Sequence, residues 1–163
     1  MKTRAERGNT TTENHCNNMD ETEIRTETLT ARGHENVTGE HASTFEVTSD
    51  DYLTPAGDCI LAIESDRVPA DFDDAFVRAC QCRESTITVT LSTEAHTEKV
   101  TASGHPDLTF ESERSLVVRT SEYVDDRTVA VDADRAAGDL DRELIAALAG
   151  GNSVSVTLAV NSS

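Results

Sequence analysis

Residues 27–52 and 98–123 are two versions of one segment, and this repetition constrains the fold more than any other feature of the chain. Glu27-Thr28-Leu29-Thr30-Ala31-Arg32-Gly33-His34 aligns with Glu98-Lys99-Val100-Thr101-Ala102-Ser103-Gly104-His105. The match continues through Val37/Leu108, Thr38/Thr109, Phe45/Leu116 and Val47/Val118 to Tyr52/Tyr123. Copy one then carries three extra residues around Leu53-Thr54-Pro55-Ala56-Gly57. Beyond them Ala62-Ile63 matches Ala130-Val131, Asp66-Arg67 matches Asp134-Arg135, and Asp71-Phe72-Asp73 matches Asp139-Leu140-Asp141. Ile87 to Leu91 finally matches Val154 to Leu158. Identities, hydrophobic pattern and order are kept together, which points to duplication.

Each copy reads as strand, strand, strand, helix, strand. A short first strand (Thr28 to Arg32; Lys99 to Ser103) ends at Gly-His. A long alternating strand is expected next, with Val37, Gly39, His41, Ser43, Phe45 and Val47 on one face in copy one and Leu108 to Val118 in copy two. A buried strand follows (Cys59 to Ile63; Thr128 to Val131). Asp71 and Asp139 are the expected N-caps of two short helices. Phe72, Phe76, Val77 and Cys80 make the apolar stripe of the first helix, and Leu140, Leu144, Ile145 and Leu148 that of the second. A last alternating strand closes each copy. The expected fold is mainly β, of the β-rich α+β class. Its duplicated β-β-β-α-β units pack as a sandwich or a jelly-roll-like barrel with pseudo-twofold symmetry. Residues 1–25 are polar and read as a disordered tail. Residues 26–163 read as a single domain of two repeats, 26–94 and 97–161.

Charge reports the solvent. The chain holds 31 acidic against 14 basic residues, for a net charge of -17. Lys2 and Lys99 are its only lysines. Such a composition suits a halophilic protein in molar salt, where screening acts over roughly 3 Å. Cys16, Cys59, Cys80 and Cys82 show no CxxC spacing and read as reduced thiols of a cytoplasmic protein, with Cys59 and Cys80 as buried hydrophobes. No apolar run reaches the roughly 18 residues of a membrane span.

Candidate site residues follow from the repeat. His34 and His105 both follow a glycine at a strand end, and in a symmetric molecule they would converge on one site. Asn36 and Asp107 mark the same places as turns, in which the imidazoles would merely bond the backbone. His41 falls on the expected inward face, where copy two has Ser112. Asp58, beside Cys59, lies in the loop found only in copy one, where function often resides. Arg127, at the matching place in copy two, is a candidate anion clamp. Asp66-Arg67 and Asp134-Arg135 read as ion pairs or caps before each helix. Any metal would fall to His34, His105 and His41; no cofactor is assigned. Phosphate-loop, dinucleotide, HExxH, GxSxG and paired CxxC motifs are absent. No basic stripe carries the aromatics that single-stranded nucleic acid requires.

Several of these motifs together resemble a known family. Arg32-Gly33-His34-Glu35-Asn36-Val37, Leu53-Thr54-Pro55 and Gly57-Asp58-Cys59-Ile60 resemble the first half of the archaeal family of unknown function DUF371. Gly104-His105-Pro106-Asp107-Leu108-Thr109, Arg119 to Tyr123, Asp126-Arg127-Thr128 and Asp139-Leu140-Asp141-Arg142 resemble its second half. The resemblance covers Glu27 to Val160. It implies an archaeal β sandwich or jelly-roll-like fold and transfers no catalytic residue. Thr120 and Arg135 stand where the family is expected to use lysine.

Three functions remain open. One is a binding module holding a small anionic ligand near the Gly-His turns. Another is a metal-assisted hydrolase or isomerase using the histidines with Asp58 or Asp66. The last is a subunit of a larger assembly or homo-oligomer.

Overall fold

The computed structural model describes residues 24–161. Its elements run β1 (Ile24–Arg32), β2 (Thr44–Thr48), β3 (Ile60–Ala62), a 3-10 turn (Pro69–Asp71), α1 (Asp74–Cys80) and β4 (Thr86–Ser92). The same order returns as β5 (Thr97–Ser103), β6 (Ser115–Arg119), β7 (Thr128–Ala130), a 3-10 turn (Ala137–Asp139), α2 (Arg142–Ala149) and β8 (Ser153–Asn161). Two open four-stranded sheets result, ordered β1-β8-β4-β5 and β3-β2-β6-β7. The fold is thus a β-rich α+β sandwich with no closed barrel. The expected tail lies outside the described residues except for Ile24 and Arg25, which open β1.

Alternation builds the first sheet. Leu29 and Ala31, Val100 and Ala102, Ile87, Val89 and Leu91 of β4, and Val154, Val156, Leu158 and Val160 of β8 point inward and are buried. Threonines and serines face out, as where Thr28 and Thr157 hydrogen-bond across β1 and β8 at 3.2 Å. The pair at the centre is β4 with β8, one strand from each half. Likewise β2 pairs with β6 at the centre of the second sheet, with Phe45 opposite Val118. The halves therefore share both sheets.

β2 to β3 and β6 to β7 are parallel neighbours, so each pair needs a crossover. Both faces of this second sheet are covered. Thr44, Glu46 and Thr48 are buried along with Phe45 and Val47.

Two expectations are corrected. The long alternating strand does not exist: residues 33–43 and 104–114 are irregular, and only Thr44–Thr48 and Ser115–Arg119 are strand. Gly39 at φ +58 and Phe110 at φ +54 turn the chain at matching positions, which no strand permits. The helix caps are Asp73 and Asp141, accepting from the N–H groups of Ala75 and Glu143. Asp71 and Asp139 instead close the 3-10 turns by accepting from Val68 and Ala136 N–H.

The recurrent Asp-Arg pairs hold the loop before each helix. Asp66 and Asp134 accept from the N–H of Thr30 and Thr101. Arg67 and Arg135 bind Glu27 and Glu98 at 2.7 and 2.8 Å. Cys59 and Cys80 are free, whereas Cys82 is disulfide-bonded, which departs from the expectation of reduced thiols. Among the described residues no helix is long and apolar enough to cross a membrane.

Candidate functional site

Each Gly-His turn docks on the helix of the opposite half. Gly33 donates its N–H to the Asn152 carbonyl at 2.8 Å, and a Cβ there would lie 1.8 Å from the Leu148 carbonyl oxygen at the end of α2. Gly104 donates to Ser85, and its Cβ would lie 2.3 Å from the carbonyl oxygen of Cys80, the last residue of α1. Glycine is required here by close backbone approach.

The histidines that follow then close their own turns. Nδ1 of His34 accepts from Asn36 N–H, and Nδ1 of His105 from Asp107 N–H, both at 3.0 Å. Asn36 adds a bond from its amide to the Leu53 carbonyl at 2.7 Å. With Nδ1 accepting, the neutral ring carries its proton on Nε2, which becomes a donor and not a metal ligand.

The two imidazoles line separate depressions. His34 lines a depression of about 340 Å³ with Arg32, Glu35, Gly150 and Gly151. His105 lines another of about 490 Å³ with Asp107, Glu111, Tyr123 and Asp125, and the two have no residue in common.

His41 is a turn residue. Its Nδ1 accepts from the N–H groups of Ser43 and Thr44, each at 3.2 Å. Ser112 Oγ makes the matching pair of bonds to Arg114 and Ser115 N–H, each at 3.2 Å. A hydroxyl thus does in one half what the imidazole does in the other. His41→Ser should keep stability within about 0.5 kcal/mol, while His41→Ala should lose about 1 kcal/mol, by urea unfolding in molar KCl. Equal losses in both variants would contradict this assignment. None of His34, His41 and His105 belongs to a group of three close metal-ligating side chains among the described residues.

Asp58 contributes its carbonyl to Glu40 N–H, and no hydrogen bond of its carboxylate is seen among the described residues. Beside it the Cys59 thiol donates to Glu46 Oε1 at 3.5 Å. Burial pushes that thiol up to about 11, and the Glu46 carboxylate pushes it the same way. Cys59 is therefore a protonated thiol near neutral pH, without nucleophilic character.

Arg127 is not an open clamp. Its guanidinium reaches Asp125 at 3.3 Å and, across the two halves, Glu46 at 3.6 Å. Arg119 completes the network by binding Asp125 and the Thr128 hydroxyl and lies 4.8 Å from the Tyr123 ring centre. Partial burial alone would raise the Asp125 carboxyl. The Arg127 N–H, the Thr128 hydroxyl and the Arg119 charge outweigh it and hold Asp125 below the usual carboxylate range. Sequence reasoning missed Glu46, Arg119 and Asp125. Alternation puts Glu46 opposite the core residues Phe45 and Val47, which predicts exposure, and only the crossovers bury it.

The depression at His105 is the site best set apart from folding needs. Its ring is 7% exposed. The Nε2–H has no hydrogen-bond partner among the described residues. Asp107, Glu111, Glu122, Asp125 and Asp126 all contribute to the lining. Such a place hydrogen-bonds an acceptor through Nε2 and favours positive charge around it.

A family model described as Domain of unknown function (DUF371) matches residues 29–161. An uncharacterized protein of Methanocaldococcus jannaschii is 34% identical over 117 residues, covering 72% of this chain and 86% of the relative.

Proposed function

The chain belongs to the DUF371 family, and within it we propose that this protein is a small-ligand-binding module whose site is the depression under the second Gly-His turn. The observation that carries this reading is the buried His105 ring, whose Nδ1 is used by the backbone and whose Nε2–H is left for a ligand. That donor is reached by solvent, and a ligand acceptor that takes the water's place makes a bond worth a net of about 0.5–1.5 kcal/mol.

The lining chooses the ligand's charge. Five acidic residues line the space, and the two arginines beside it are already held, Arg119 by Asp125 and Arg127 by Asp125 and Glu46. A cationic ligand, a protonated amine that also carries a hydroxyl or carbonyl acceptor, replaces the small anionic ligand of the sequence reading. Contact pairs of this kind persist in molar salt even though longer-range forces are screened. The matched halves support descent from a duplicated unit. The composition supports a halophilic cytoplasm, and the bonded Cys82 is the one feature pointing elsewhere.

Thermal shift in molar KCl tests the reading with a panel of amino alcohols, polyamines and sugar phosphates. Amines should raise the melting temperature of the parent protein and phosphates should not. His105→Asn is the informative variant. An asparagine oxygen accepts from the N–H two residues on, as Nδ1 does, but nothing replaces Nε2–H. The variant should keep the turn and still fold, losing about 1–2 kcal/mol with the ring's packing, and lose the amine response. Absence of any amine response, or a response unchanged in His105→Asn, would sink the proposal.

A further inference from the structure

Away from that depression, an imidazole, the carboxylate that caps α2 and a second carboxylate come together. The turn between β4 and β5 is closed by Thr93 N–H on the His96 carbonyl at 2.8 Å. It brings the His96 ring to the start of α2. There a ring nitrogen, an Asp141 oxygen and a Glu143 oxygen all lie within 4.8 Å of one another. We propose that these three residues form a site for a divalent transition-metal ion of the zinc or cobalt kind, which clips the β4–β5 hairpin to α2.

The donor set selects the ion class. One imidazole with two carboxylates suits zinc, cobalt or manganese, whereas calcium and magnesium prefer oxygen throughout. The side chains remain available for it. Asp141 uses Oδ1 to cap the helix, accepting from Glu143 N–H at 2.9 Å, and Oδ2 is left over. His96 Nδ1 stands 4.0 Å from Glu143 Oε1, too far for a hydrogen bond, so the groups face a space and do not bond one another.

The first half shows what the scaffold alone needs. Asp73 caps α1 just as Asp141 caps α2. Both cap residues donate their own N–H to a glutamate, Glu27 at 2.7 Å and Glu98 at 2.8 Å. The positions matching His96 and Glu143 hold Arg25 and Ala75, neither of which ligates metals. The cap is common to both halves. The imidazole and the second carboxylate are additions to one of them, and they are placed where they meet.

The test uses full-length protein stripped with a chelator in molar KCl. Zn²⁺ is titrated by calorimetry and Co²⁺ by its visible d–d absorption. The parent should show one saturable site. His96→Arg copies the first half at a ring that holds no fold bond, and it should weaken that site on the order of tenfold or more. Asp141→Asn keeps the cap while removing the charge, and should weaken the same site. His105→Asn should leave it unchanged, which separates this site from the amine site. Lack of saturable binding in the parent, or undiminished binding in folded His96→Arg and Asp141→Asn, would overturn the proposal.

Discussion

Gly33→Ala and Gly104→Ala should each destabilise the protein by about 3 kcal/mol or more, the upper end of what overpacking costs. A methyl at Gly33 would lie 1.8 Å from the Leu148 carbonyl oxygen, and one at Gly104 2.3 Å from that of Cys80. Neither oxygen belongs to a flexible side chain. Both are main-chain groups at helix ends, so relief requires moving α2 or α1 off the sheet. Total stabilities of about 5–15 kcal/mol leave little room for both changes, and the double variant should fail to fold. Gly151 supplies the control. It has φ +88 and open space around its Cβ position, so Gly151→Ala should cost only about 1 kcal/mol through backbone strain. Urea unfolding in molar KCl ranks the three. Gly33→Ala or Gly104→Ala no worse than Gly151→Ala would refute close approach as the reason for these glycines.

Phe110→Ala should lose about 3–5 kcal/mol, because a buried ring is removed from a trio. Its centroid lies 5.9 Å from that of Phe72 and 6.0 Å from that of Phe76. Phe110→Gly should be the milder change by about 1 kcal/mol, reversing the usual order of alanine and glycine. The cause is φ +54, a conformation that alanine pays for and glycine does not. At the matching position the chain already has Gly39, at φ +58. Aromatic burial has evidently outweighed strain in one half and not in the other. Phe110→Gly less stable than Phe110→Ala would show that the backbone relaxes once the ring is gone.

The same position explains where sequence reading failed. Period-two patterning around Val37 and Leu108 imitates a strand, because an irregular segment packed on a core also alternates inward and outward residues. Gly39 hints at the break, but Phe110 gives no sign of it. The helix starts slipped by two residues because Asp-Phe-Asp and Asp-Leu-Asp offer two good caps in succession, and the structure uses both, one per turn. By contrast, the apolar helix stripes and the final strands carry their full pattern locally and stand where the periodicity puts them, while the first strand of copy one ends where expected at Arg32 but begins earlier, at Ile24. The Gly-His turns were visible as a repeat, but their docking on the opposite half needs the third dimension. His96 was invisible as a site residue, since its partners lie on another element far along the chain.

The pairing of β1 with β8 has a consequence for how the protein is made. β8 lies between β1 and β4, with Leu29 opposite Val156 on one side and Val89 opposite Leu158 on the other. During synthesis β1 leaves the ribosome long before β8, its neighbour in this sheet among the described residues, exists. The β4–β5 hairpin closes from neighbouring residues, but the centre of the sheet stays open until the last strand emerges. Until then β1 and one edge of β4 are unpaired templates for strand addition. The final strand acts as a keystone, and a nascent chain halted before it is the form most exposed to aggregation.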